Sequence, residues 1–123
     1  MYFTLSELQE YFGERGLPRE FNDQDFQLVH LRTANQIESY LRSAGLEIPV
    51  VDTKALEILK GPAMDIACYH AWAGAAQPSE NVKNRYTDAV SWLREVASGK
   101  VRIKTEELES RKSGFHNVRI IRS

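Results

Sequence analysis

Apolar residues recur at spacings of three and four along most of the chain, the period of an amphipathic helix. The clearest run lies within residues 22–45, where Phe26, His30, Thr33, Ile37, Tyr40, Leu41 and Ala44 share one stripe. Asn22 suits an N-cap, Asp23 and Asp25 suit the positive first turn, and Gly45 suits the left-handed residue that stops a helix. Glu38 and Arg42, four apart in the favourable order, are expected to pair on the surface. The pattern predicts a helix over about residues 23–44.

The same reading predicts three more helices. Residues 4–12 open with a capping-box pattern (Thr4 and Glu7), place Leu5, Leu8, Tyr11 and Phe12 on one face, and stop at Gly13 and Gly16. After an extended connector over 45–51, Asp52 or Thr53 caps a helix with Leu56, Leu59, Ala63, Ile66, Ala67 and His70 on one face. Gly61-Pro62 interrupts it, because proline removes one helical bond and clashes with the preceding turn. Either a kink or two short helices are expected, with Pro62 at the first position of the second. Ala63, Ala67 and Ala71, spaced by four, would let another helix approach closely. Ser79 caps a last helix to about residue 98, with Gly99 as its stop. Its arc is Val82, Tyr86, Ala89, Val90, Leu93, Val96 and Ala97, with Trp92 on the flank. The fold class is therefore mainly α, a bundle of about four helices, with Phe26, Ile37, Tyr40, Leu41, Ile66, Tyr86 and Leu93 as its core spine.

The pattern changes near residue 100. Val101-Arg102-Ile103 alternates and reads as a short strand, and residues 117–121 (NVRII) again favour strand. Residues 1–103 read as one helical domain and 104–123 as an extended basic tail able to form β structure. From Lys100 onward seven basic residues face three acidic ones, a net +4; with −1 for the whole chain, −5 is left for the rest. One reading of the tail is a solvated terminus. The other is a docking segment, carried by Arg111, Lys112, Val118, Arg119, Ile120, Ile121 and Arg122, for an acidic partner surface or DNA. The alternation in NVRII favours addition to a partner's sheet edge over a purely electrostatic tether.

Composition narrows the setting. A chain of 123 residues suits one domain. A single cysteine, Cys68, excludes an internal disulfide and fits a reducing compartment. No apolar run approaches the roughly 18 residues of a membrane span, and the first residues lack a signal-peptide pattern. The setting expected is a cytoplasm, or a particle assembled there. The near-zero net charge gives no global pull toward nucleic acid or membrane.

Candidate chemistry is sparse. The sequence has no H-E-x-x-H, paired C-x-x-C, G-x-x-x-x-G-K-[ST] or G-x-S-x-G, and His30, His70 and His116 are widely separated. His30 and His70 fall on apolar stripes and read as core or interface histidines; a metal role would need further ligands. Cys68 reads as a small buried hydrophobe rather than a reactive thiol. Tyr40 and Tyr86 read as core aromatics rather than ligand contacts. Trp72, near a helix end, and Trp92 are either core packing or anchors of a protein contact. No catalytic, cofactor or metal residue is assigned, and no enzyme activity is expected.

Several pieces in order carry a family resemblance. They are Met1-Tyr2-x-Thr4-x-x-x-Leu8, then Ala34-x-x-Ile37-Glu38-Ser39-Tyr40-Leu41, then Leu46-x-Ile48-Pro49-Val50, then Met64-Asp65-Ile66-Ala67-x-Tyr69. The last is Val82-x-x-Arg85-Tyr86-x-x-Ala89-Val90-x-Trp92-Leu93-x-x-Val96-Ala97-x-Gly99-Lys100. In this order the chain resembles the small proteins of the head-morphogenesis region of Mu-like phages and prophages, which are similar to the head–tail connector (adaptor) proteins of long-tailed phages. Gly61-Pro62 and the tail beyond Lys100 depart from that pattern. The resemblance implies a helical adaptor of the virion neck. It would form a homo-oligomeric ring, a dodecamer matching the portal, and bridge the portal protein to a stopper or tail-completion protein. Genomic DNA would pass through the ring without sequence-specific binding, and no cofactor or membrane would be involved. The alternative is a small helical nucleic-acid-binding packaging or regulatory protein. The basic tail motivates it; the near-neutral total charge and the lack of a clear recognition helix speak against it.

Overall fold

Each helix starts where a side chain closes its first turn. In the computed structural model, which describes residues 1–13, 17–73, 77–103 and 105, the elements are α1 (Leu5–Phe12), α2 (Asp23–Ser43), α3 (Thr53–Ala73) and α4 (Glu80–Ser98). Thr4 and Glu7 form the expected capping box, with Glu7 N–H to Thr4 Oγ1 at 3.1 Å and Thr4 N–H to Glu7 Oε1 at 2.9 Å. Asn22 caps α2 in the same reciprocal way with Asp25. Asp52 rather than Thr53 caps α3, its Oδ1 accepting from Ala55 N–H at 3.0 Å. Ser79 Oγ accepts from Val82 N–H at the start of α4.

The stops follow the glycines. Gly45 takes φ +83°. There Leu46 N–H donates to Leu41 O and Gly45 N–H to Arg42 O, which satisfies two of the last carbonyls of α2. Gly99 (φ +88°) does the same for α4 through bonds from Gly99 to Val96 O and from Lys100 to Glu95 O.

α2, α3 and α4 pack against one another, and α1 packs on α3. Lys60 Nζ on α3 donates to Glu7 Oε2 on α1 at 2.5 Å. Phe26, Ile37, Leu41, Ile66 and Leu93 of the expected spine are buried, while Tyr40 and Tyr86 are partly buried against the same core. Ala63, Ala67 and Ala71 are buried, as are Ala55, Met64 and Cys68, which the stripe of α3 did not include. The wider arc follows from position: α3 touches all three other helices, so more of its surface is enclosed.

Two expectations change and a third is narrowed. Of the two outcomes expected at Gly61-Pro62, two short helices are excluded: α3 runs as one helix through Pro62. The lost bond is local, whereas Leu59, Ala63 and Ile66 on either side are fully buried and keep the helix continuous. Val101-Arg102-Ile103 forms no strand. Its alternation instead sends Ile103 into the core and Val101 against it, while Arg102 is exposed. Among the described residues Glu38 makes no pair with Arg42; it accepts a hydrogen bond from Tyr2 Oη at 3.0 Å. A partly buried acceptor beside a hydroxyl outcompetes an exposed ion pair of small value. Arg111, Lys112, Val118, Arg119, Ile120, Ile121 and Arg122, and the strand expected over 117–121, lie outside the described residues.

Candidate protein-interaction surface

The first three residues shape the surface around the N-terminal half of α2. Phe3 is buried, edge-on to Phe26 (ring centroids 5.8 Å apart, 84° between planes) and 4.8 Å from the His30 ring. Tyr2 N–H donates to His30 Nε2 at 3.3 Å, so Nε2 is an acceptor and the imidazole is neutral. Burial lowers the His30 pKa, and the N-terminal ammonium lowers it further. Burial and Glu38 both raise the Tyr2 phenol. With Tyr2 and Phe3 fixed inward, Met1 is left 77% exposed on the outside of α2.

There Met1 meets two leucines that the helical stripe does not use. Leu28 is 66% exposed and Leu31 59%. At 100° per residue they lie about 120–180° round α2 from the buried line through Phe26, Thr33 and Ile37. Met1, Leu28 and Leu31 line one shallow groove with Gln24 and Gln27. Leu28 also lines a second, with Pro18, Arg19, Phe21, Val29, Arg32 and His70. Pro18, Arg19 and Phe21 in turn line a third, which reaches Leu17, Gly13 and Trp72. The shared residues make the three grooves one belt, from the end of α3, across the α1–α2 connector, to the outer face of α2. Its exposed apolar side chains Met1, Leu28 and Leu31 share one groove, unlike the scattered exposed leucines of an ordinary surface.

The two tryptophans take different places. Trp72, in the last helical turn of α3, is half-buried and belongs to the belt. Trp92 packs against the core from α4. It lies twelve residues beyond the start of α4 at Glu80, roughly 18 Å along that helix. Trp92 lines none of the three grooves, so the two tryptophans do not share this surface.

The polar groups buried near the belt are held by neighbours. His70 Nε2 lies 2.8 Å from Gln36 Oε1, and Gln36 Nε2 donates to Tyr86 Oη at 3.1 Å. Tyr86 stacks on Tyr69 with centroids 3.9 Å apart. Burial, and secondarily Arg32, lowers the His70 pKa. Asp65 Oδ1 is 3.3 Å from Arg85 Nε, and the Arg85 guanidinium lies 4.9 Å over the Tyr11 ring. Burial raises the Asp65 carboxyl even so, with Arg85 and a hydrogen bond from Tyr11 opposing the rise. Cys68 is fully buried, and burial pushes its thiol up to about 12, far from a nucleophilic thiolate. Among the described residues no three of His, Cys, Asp and Glu cluster as a metal site would require. No described helix is long and apolar enough to cross a membrane. What this surface can do chemically is bury apolar area against another macromolecule. Sequence reading found Trp72 but missed Leu28, Leu31 and Met1; their i, i+3 spacing on the polar side of α2 was the available signal.

Neither a curated protein nor a solved structure matches the chain. The family described as Bacteriophage Mu, Gp36 matches it over residues 2–121, nearly its whole length. The chain belongs to that family and is a Mu-like phage protein.

Proposed function

We propose that this chain is a structural head–tail connector, an adaptor of the virion neck. In this reading copies form a ring that joins the portal protein to a stopper or tail-completion protein, around a channel through which the genome passes without sequence-specific contact. It is assembled in the bacterial cytoplasm and has neither catalytic activity nor a cofactor.

The observation that carries the reading is the belt of Met1, Leu28, Pro18, Phe21 and Trp72 with Leu31. A small helical body gains nothing from leaving that area in water, since each buried Å² of apolar surface is worth roughly 25 cal/mol. A phage-family protein with such a surface fits a role in assembly. The hydrogen-bonded His30 and His70 and the buried Cys68 thiol agree with a structural role. The test is negative-stain imaging of the purified chain mixed with the portal protein of the same phage. An added ring on the portal is expected; a chain that stays monomeric and never binds portal removes the reading.

A further inference from the structure

We infer that, in the assembled protein, the belt is covered by the carboxy-terminal segment 117–122 of a neighbouring copy. This rests on the ring reading and supplies one of its contacts.

The described chain leaves the body at the far end from the belt. Ile103 is buried, and Thr105 lies with Ser43, Gly45 and Leu46 beside the ends of α2 and α4. Leu28 and Leu31 lie twelve to fifteen residues up α2 from Ser43, roughly 20 Å along its axis. Eighteen residues, 106–123, follow Thr105, a reach of roughly 60 Å when extended. They carry Val118, Ile120 and Ile121 interleaved with Arg119 and Arg122. The belt offers apolar Leu28 and Leu31 for the apolar side chains; the adjoining groove carries Glu20 and Asp25, which can meet the arginines, beside Arg19 and Arg32. The basic segment and the acidic body attract one another.

The partner is a second copy rather than the same chain. To reach its own belt the segment would run back along the outer face of α2, over exposed Arg42, Ser39, Asn35 and Arg32. Between Ser43 and Leu31 that path offers no apolar footing. A ring joins two different surfaces of identical subunits. The exit end of one copy and the belt of the next are such a pair.

Disulfide trapping in the full chain tests this. Full-length Leu31→Cys is mixed with full-length Ile120→Cys under oxidised glutathione, which accepts the electrons as the two thiols join. Each chain has one new thiol, and Cys68 is fully buried, so a link between the new thiols must join two copies. Docking raises the effective thiol concentration, so dimer yield should exceed that of a Ser39→Cys and Ile120→Cys mixture by at least about tenfold. Equal yields overturn the inference. So does a Leu31→Cys/Ile120→Cys chain that closes on itself while the mixture stays unlinked. Portal imaging separates the two readings. A ring on the portal without the cross-link removes this contact and leaves the connector. The cross-link without a portal ring keeps this contact and removes the connector.

Discussion

One helix presents two unlike faces. On the inward side of α2, Phe26, Thr33, Ile37 and Leu41 are buried against α3 and α4. On the outward side, within the same turns, Leu28 and Leu31 stand in solvent beside Met1. Both faces carry large aliphatic groups, so hydrophobicity alone does not distinguish them. The difference is continuity: the inward residues recur over the full length of α2, whereas the outward pair occupies one stretch near its start. A fold needs the first pattern; a contact with another molecule needs only the second.

The same substitution on the two faces breaks or confirms that division most sharply at Ile37. Ile37→Asp places a carboxylate at a fully buried position with no counter-charge. Cooperative unfolding should disappear, a loss of more than about 4 kcal/mol, as buried unpaired charges commonly cause. Circular dichroism during heating reads it. A soluble mutant with a sharp helical transition would mean that Ile37 does not hold the bundle.

The inward face was legible because its signal is periodic and long. The caps at Thr4, Asn22 and Ser79 and the stops at Gly45 and Gly99 were legible because each satisfies a local backbone need. Gly61-Pro62 left open a break into two helices that the packing of Leu59 and Ile66 around it excludes. Val101-Arg102-Ile103 misled for a related reason: alternation reports one buried side, not a partner strand. Pairs of distant residues were not legible as contacts. Tyr2 with Glu38, Asp65 with Arg85, and Tyr69 with Tyr86 meet only in the fold, although the pieces carrying the family resemblance contain all six. The belt escaped because its residues come from four separate stretches, and no one-helix pattern gathers them.

Within the inward face Thr33 is the exception. It is fully buried, and among the described residues its Oγ1 has no hydrogen-bond partner. Thr33→Val keeps the shape and removes a polar atom that left water without compensation. Stability should rise by about 1 kcal/mol, the low end of the cost of an unsatisfied buried group. Urea unfolding measures it, and a fall in midpoint would mean that the hydroxyl is satisfied.

The two faces also meet at His30, which packs on Phe3 and Phe26 and borders the groove of Leu31. Its folded pKa lies below the ordinary 6.5, chiefly through burial. The folded state therefore binds fewer protons, so this contribution is complete above pH about 6.5 and is lost as pH falls from there toward the folded value. His70, lowered by burial as well, adds in the same direction. Both rings are only partly enclosed, so the effect is smaller than that of a buried charge. Urea midpoints should fall between about pH 7.5 and 5.5, with a shallower slope in His30→Gln. An unchanged slope in that variant would place the titration elsewhere.

The smallest effect on stability, and the most informative, belongs to the outward face. Leu28→Asp and Leu31→Asp change exposed side chains, so each should move the unfolding free energy by no more than about 0.5 kcal/mol. Their effect should fall on association instead. A carboxylate at the centre of an apolar contact must be desolvated without a partner, which weakens that contact by roughly 2 kcal/mol or more, some thirtyfold in affinity. Native mass measurement of the double variant, alone and with portal, reads this directly. Wild-type stability with lost assembly would confirm that the two faces of α2 have separate duties. Wild-type assembly would return Leu28 and Leu31 to the class of incidental exposed leucines, and the contact surface would have to be sought near Trp72.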